Sequence, residues 1–141
     1  MIEIKPVKDI TPEIVDAFSI LIPQLTAKSE IPDNKRLKEI IKTKNTYLFI
    51  ACNPKIAGSI TVVVMNTPSG SKAWIEDVIV DKNARGQNIG EKLVSYAIDF
   101  AKRLNISSIN LTSSPDRIAA NKLYQKLGFI LRETNVYRLT I

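Results

Sequence analysis

Histidine is absent from this chain, and cysteine occurs once, as Cys52. The first absence excludes Ser-His-Asp and Cys-His nucleophilic catalysis and removes the usual imidazole ligands of zinc, so no metal is expected. The second excludes an intrachain disulfide, and Cys52, in the apolar run TYLFIAC, reads as a buried strand thiol. No apolar stretch approaches the ~20 residues that a membrane-spanning helix needs. The N-terminal MIEIKPVKD alternates and carries charge with no apolar run behind it, so no signal peptide is expected and the expected compartment is the cytoplasm. Aromatic residues make up only 6% of the chain and do not alternate with Lys and Arg. The net charge of +6 is therefore not read as a nucleic-acid surface, since stacking platforms are missing.

What is present is one domain's worth of core: 141 residues at 45% hydrophobic composition, taken as a single domain over 1–141. Ile2, Ile4 and Pro6 predict a first strand. Thr11-Pro12 predicts an N-cap with proline at the first helical position, and Ile14, Phe18, Leu21, Ile22 and Leu25 mark one helix face, with Pro23 expected to kink or end it. Asp33 caps a second short helix carrying Leu37, Ile40 and Ile41 inward. Residues 46–52 and 56–66 form a hairpin, and 67–71 turn into a strand from about 73 to 80. A helix follows with Ile89, Leu93, Ala97, Ala101 and Leu104 in step and ends near Asn105. Then come a strand over 106–112, a helix capped at Ser114-Pro115 and stopped by Gly128, and two strands at 129–131 and 136–139.

The richest segment is IEDVIVDKNARGQNIG, residues 75–90, running into EKLVSYAIDFAKRL. It places an Arg-Gly turn between an apolar strand and a helix N-terminus, where unpaired N–H groups and the helix dipole favour an anion. Gln87 to Glu91 are expected to cradle a phosphate, with Gly86 and Gly90 allowing close backbone approach and Lys82, Arg85 and Lys92 supplying positive charge. No Gly-Lys-Ser/Thr follows, which excludes a Walker phosphate loop, and the spacing departs from the dinucleotide fingerprint.

Arg85, Gly90 and the preceding Val78, Ile79, Val80 resemble the Arg/Gln-x-x-Gly-x-Gly/Ala signature of the GNAT superfamily of acetyl-CoA-dependent N-acetyltransferases. Asn88 stands where that signature has its first glycine, and asparagine best tolerates the left-handed region among other residues. A second block, AANKLYQKLGF over 119–129, is similar to the family's A-x-x-x-Y-x-K-x-G-F segment. The resemblance implies a three-layer α/β/α fold of the α+β class. Its sheet is mixed but mostly antiparallel, with about seven strands and about four helices in the order β-αα-βββ-α-β-α-ββ. It also implies acetyl-CoA as cosubstrate and no metal.

Further site residues follow from the resemblance. The backbone of Val78, Ile79 and Val80 would splay from the next strand and hold the pantetheine arm, while the diphosphate would meet Arg85, Gly86, Gln87, Asn88, Ile89, Gly90 and Glu91. Tyr124 would be the general acid that protonates the leaving thiolate, the alternative being a packing ring on the last helix. Arg117 and Asn121 are read as carrier contacts or as a solvated helix face. Glu76, beside Asp77 in an otherwise apolar strand, is a candidate general base or a structural carboxylate. The implied function is direct acetyl transfer to a primary amine, a small molecule being the expected acceptor. A non-catalytic coenzyme A-binding module is the alternative, and the protein is expected as a monomer or homodimer with no membrane partner.

Overall fold

The computed structural model describes residues 1–141. Strands β1 (Glu3–Pro6), β2 (Thr46–Cys52), β3 (Ile56–Thr67), β4 (Gly70–Val80) and β5 (Ile109–Asn110) lie side by side in chain order. The first three pairings are antiparallel and β4–β5 is parallel. Helices α1 (Pro12–Leu25) and α2 (Asn34–Lys42) connect β1 to β2. Helix α3 (Ile89–Arg103) connects β4 to β5, and α4 (Ile118–Lys126) follows β5. Both helix starts in the first third are capped as their sequences predict. Thr11 accepts the Ile14 N–H at 3.2 Å, and Asp33 accepts the Arg36 N–H at 2.8 Å.

Strand alternation divides the core into two layers. Ile14, Phe18 and Leu37 from α1 and α2 cover Leu48, Ile50 and Cys52 on one face of the sheet. On the other face, Ile89, Leu93, Val94, Ala97 and Ala101 of α3 cover Phe49, Ala51, Ile60, Val62, Ala73 and Ile75. Burying a side chain such as Leu93 completely contributes about 1.5–3 kcal/mol, so α3 is held chiefly by this stripe. Cys52 is buried as expected, and desolvation pushes its thiol above the usual range, keeping it protonated.

The structure departs from the sequence expectation in four places. Helix α1 continues past Pro23 to Leu25, because the missing N–H falls in the last turn and Thr26 N–H still reaches the Ile22 carbonyl at 3.0 Å. The strand expected over 106–112 is only Ile109–Asn110. Helix α4 begins at Ile118 with Arg117 at its N-cap, three residues beyond Pro115. The sheet has five strands rather than about seven, since 129–131 and 136–139 carry strand-like sequence but enter no ladder. A strand needs a partner edge. The two-residue β5 offers little of one, and its flank borders a cavity of about 730 Å³ that includes Leu111, Tyr124 and Leu131.

Gly58 sets how closely α3 approaches the sheet. A Cβ there would stand 2.7 Å from the Ile79 carbonyl oxygen and 3.2 Å from side-chain atoms of Ile89 and Leu93. The first distance is against backbone and cannot relax by rotamer change. Gly58→Ala is therefore expected to lower unfolding free energy by about 1–3 kcal/mol, read as a lower denaturant midpoint at unchanged slope. An unaltered midpoint would mean that α3 has slack here.

Candidate active site

A bulge in β4 builds the first part of the site. Thr61 opposes Glu76 and Ser59 opposes Ile79, so β3 spends one residue, Ile60, against two of β4. Asp77 takes the strain, with φ 49°, an uncommon conformation for a non-glycine residue. The bulge resets alternation. Directly opposed residues share a face, which puts Glu76 and Ile79 on the α1 face with Thr61 and Ser59, whereas Val78 and Val80 pack toward the α3 layer. Beyond the bulge β4 loses its other neighbour, because β5 pairs only as Ala73 with Ile109 and Trp74 with Asn110. The backbone of Val78, Ile79 and Val80 thus borders a gap in the sheet, open to hydrogen bonding on that edge.

At the end of β4 the chain makes a short 3-10 turn at Lys82–Ala84 and enters α3 through Arg85 to Asn88. Gly86 has φ 85° and Asn88 has φ 59°, ψ 28°, both left-handed, whereas Gly90 lies within α3 and has no positive φ. Asn88 makes no side-chain cap bond, which leaves the first-turn N–H groups of Ile89, Gly90 and Glu91 without intrahelical partners. At Gly90 a Cβ would make only ordinary contacts, 3.6 Å to Leu123 and 3.7 Å to Val80. Protein packing does not require glycine there. These residues fit a phosphate-bearing carrier at the bare helix end. Arg85 and Gln87 are exposed beside them, and Asn53 Nδ2 donates to Gln87 Oε1 at 3.4 Å.

Helix α4 places Tyr124 on the α3 face of the sheet, packed against the α3-side core and lining the cavity beside β5. The helix ends in a Schellman turn: Gly128, φ 102°, donates to the Gln125 carbonyl at 3.1 Å and Phe129 to the Tyr124 carbonyl at 2.9 Å. The apolar contact that accompanies such a turn is here the Phe129 ring against the Tyr124 ring, centroids 5.9 Å apart and near perpendicular. Residues 124–129 thus work as one device that orients the tyrosine. Lys126 adds a second anchor, pairing with the Glu91 carboxylate of α3 at 3.1 Å. Tyr124 is half-buried. Desolvation raises its phenol above the usual value, opposed in part by the Arg117 charge, so it stays a proton donor.

Glu76 and Asp77 are both exposed at the bulge. Partial desolvation raises the Glu76 carboxyl above the usual range, and the neighbouring Asp77 charge adds to the rise. Arg117 and Asn121 have protein partners. Arg117 Nη2 donates to the Leu25 carbonyl of α1 at 3.3 Å, and Asn121 Nδ2 donates to the Ser114 carbonyl at 2.9 Å. Sequence reasoning missed three residues that buttress the turn: Asn53, Gln24 and Asp81. The partners of Asn53 and of Gln24 across the site lie far away in sequence, whereas Asp81 also caps the 3-10 turn locally through the Asn83 N–H.

The matching of this chain to known proteins agrees with the geometry. Residues 14–129 match the model of the acetyltransferase (GNAT) family. The chain belongs to this family. It is 26% identical over 139 residues to the uncharacterised N-acetyltransferase YhdJ of Bacillus subtilis, covering 84% of this chain and 97% of that one. Glucosamine 6-phosphate N-acetyltransferase of Arabidopsis thaliana is 28% identical over 122 residues, covering 79% of each. A solved structure described as a transcriptional regulator from Bacillus halodurans superposes with a TM-score of 0.84 at 28% identity, covering 99% of this chain and 100% of that one. The family uses acetyl-CoA, and the chain is accordingly an acetyl-CoA-dependent N-acetyltransferase. No helix is long and apolar enough to cross a membrane.

Because a Cβ at Gly90 would make only ordinary contacts with Leu123 and Val80, Gly90→Val is expected to leave the fold intact and weaken acetyl-CoA binding by about 1–3 kcal/mol. Calorimetry checks this. Wild-type affinity in a folded variant would put the carrier elsewhere.

Proposed function

We propose that this acetyltransferase moves an acetyl group from acetyl-CoA to the primary amine of a small molecule by direct attack of the amine on the thioester. The observation that supports the reading is the gap that β5 leaves beside the β4 backbone beyond Trp74, with Glu76 on the α1 face of β4 and Tyr124 packed in the layer on the α3 face. An acyl group held in that gap is open to an amine from the α1 face and to a proton donor from the α3 face.

Acetyl-CoA brings the activated acyl group; the chain supplies binding, alignment and proton movement. The first-turn N–H groups of α3 and the Gly86 to Gly90 turn hold the diphosphate. Backbone N–H groups of the Val78 to Val80 segment polarise the carbonyl, as fixed dipoles that need no rearrangement. Glu76 and Asp77 together attract the ammonium form of the acceptor. Glu76, with its raised pKa, takes the proton directly or through water and leaves a neutral amine. Tyr124 returns a proton to the departing thiolate, and its raised pKa keeps the phenol protonated. Because a thiol near ~8.5 is already a stronger acid than a free phenol near ~10, the transfer is uphill and relies on hydrogen bonding to the charge as it develops. Glucosamine 6-phosphate, named for the Arabidopsis relative, is the first amine to test, followed by a panel of small amines read by thiol release.

Tyr124→Phe keeps the ring against Phe129 and removes only the hydroxyl. Turnover is expected to fall roughly 10²-fold with acetyl-CoA affinity nearly unchanged. Full activity on an accepted amine would make Tyr124 a packing ring. Glu76→Gln is expected to lower turnover chiefly below the pKa of the acceptor amine, and raising the pH should restore part of the loss, since more amine is then neutral without help. A pH–rate profile parallel to wild type would make Glu76 a structural carboxylate.

A further inference from the structure

At the end of α3 remote from the phosphate turn lies a cavity of about 650 Å³ that acetyl transfer does not use. It opens between the last turns of α2 and α3 and the start of β2. Strand β1 ends there at Pro6, opposite Phe49, and leaves the first residues of β2 with no strand on that side. The 15 residues of α3, rising 1.5 Å each, separate this cavity from Gly90 by roughly 20 Å. Four cations line it, Lys8, Lys42, Lys44 and Arg103, and no lining residue is acidic. The ion pairs of the chain are Arg36 with Glu39 and Lys126 with Glu91, so all four cations are free of a carboxylate. Helix dipoles account for two of them: Lys42 and Arg103 stand in the last turns of α2 and α3, whose carbonyl ends each carry about half a negative charge. Lys8 and Lys44 belong to no helix, and four full charges exceed the two partial ones by about three.

Beneath the cations stands an aromatic wall. Tyr47 meets Phe100 edge-on with centroids 4.7 Å apart, and Phe49 meets Tyr96 in the same way at 5.0 Å. Phe49 is buried, whereas Tyr47, Tyr96 and Phe100 keep part of their ring surface open. The Arg103 guanidinium lies over Tyr96 and Phe100, 5.8 and 5.9 Å from the two centroids. Stacking holds its charge in place against the rings and leaves a planar fork of N–H donors, which matches the geometry of a carboxylate or phosphate. Aromatic and basic residues that do not alternate along the sequence are thus brought together in space by the ends of two helices and a strand.

We propose that this cavity is a second ligand site, separate from the carrier site, and that it takes a small aromatic anion: a flat ring bearing a phosphate or carboxylate. The ring packs on the wall of Tyr47, Tyr96 and Phe100, and the oxyanion is held by Arg103 with the lysine ammonium groups around it. Both halves are needed. An anion paired only with exposed lysines gains little in water, and a neutral ring leaves four like charges facing one cavity. The volume lies within the roughly 300–1,000 Å³ of small-molecule sites.

The probe is 1-naphthyl phosphate, followed by fluorescence anisotropy in the full-length protein with coenzyme A saturating, so that the carrier turn is already filled. One site with Kd below about 1 mM is expected. Naphthol and inorganic phosphate, each lacking one half of the probe, should compete at least about tenfold more weakly. Lys44→Glu and Arg103→Ala should each weaken the probe about tenfold or more. Lys35→Glu makes the same charge change on α2 outside the cavity and should stay within about twofold of wild type. Thermal midpoints establish that the variants are folded, and Lys44, exposed in the turn between α2 and β2, guards against an Arg103→Ala variant that is not. No binding below about 1 mM overturns the proposal. So does inorganic phosphate that binds as tightly as the probe, wild-type affinity in a folded Lys44→Glu variant, or displacement of the probe by coenzyme A.

Discussion

The approach of α3 to the start of β3 and the end of β4 is the constraint on which the site depends. Gly58 admits Ile89 and Leu93 to van der Waals contact with the sheet, and that contact fixes where the first turn of α3 ends in space. Three consequences follow from one placement. The uncapped N–H groups of Ile89 to Glu91 sit beside the last residues of β4, Gly90 lies against Val80 and Leu123 at ordinary contact distance, and Glu91 is in reach of Lys126. A helix set further out would move the anion site away from the unpaired β4 backbone, and one carrier could no longer span both.

The second constraint is that a sheet gap needs both of its edges held open. On one side the Asp77 bulge shifts β4 alternation so that Ile75 and Ile79, four residues apart, are buried on opposite faces. On the other, β5 stops pairing after two residues. The Tyr124 ring is held by the stop signal of its own helix, since Gly128 permits the left-handed turn that brings Phe129 back onto the tyrosine ring. The family's terminal glycine and aromatic therefore have a physical role: they orient the residue four to five positions before them.

Much of this was legible in sequence where the cause is local. Thr11, Pro12 and Asp33 announce helix starts because capping involves residues at most three positions apart. Asn88 and Gly86 mark left-handed turns because few other residues tolerate them. The bulge at Asp77 was hidden, since alternation over 73–80 reads the same whether or not one residue is skipped. The extent of β5 and the unpaired 129–141 segment depend on which edge is available in three dimensions, and strand propensity carries no information about that. Arg117 was read as a carrier contact or part of a solvated helix face, and its bond to the Leu25 carbonyl, 92 positions earlier, had no local signal. Gln24 gave no signal at all, because a glutamine at a helix end looks like any solvated residue until its partners at 81 and 82 are brought to it.

The central claim is that one carrier bridges the α3 N-terminus, the unpaired edge of β4 and the Tyr124 hydroxyl. A crystal structure of the protein with coenzyme A tests it most directly. The account predicts the diphosphate on the N–H groups of Gln87 to Gly90, the pantetheine arm along Val78 to Val80, and the sulfur within about 3–4 Å of the Tyr124 hydroxyl. A diphosphate bound away from the first turn of α3, or a sulfur on the far side of α4 from Tyr124, would contradict it.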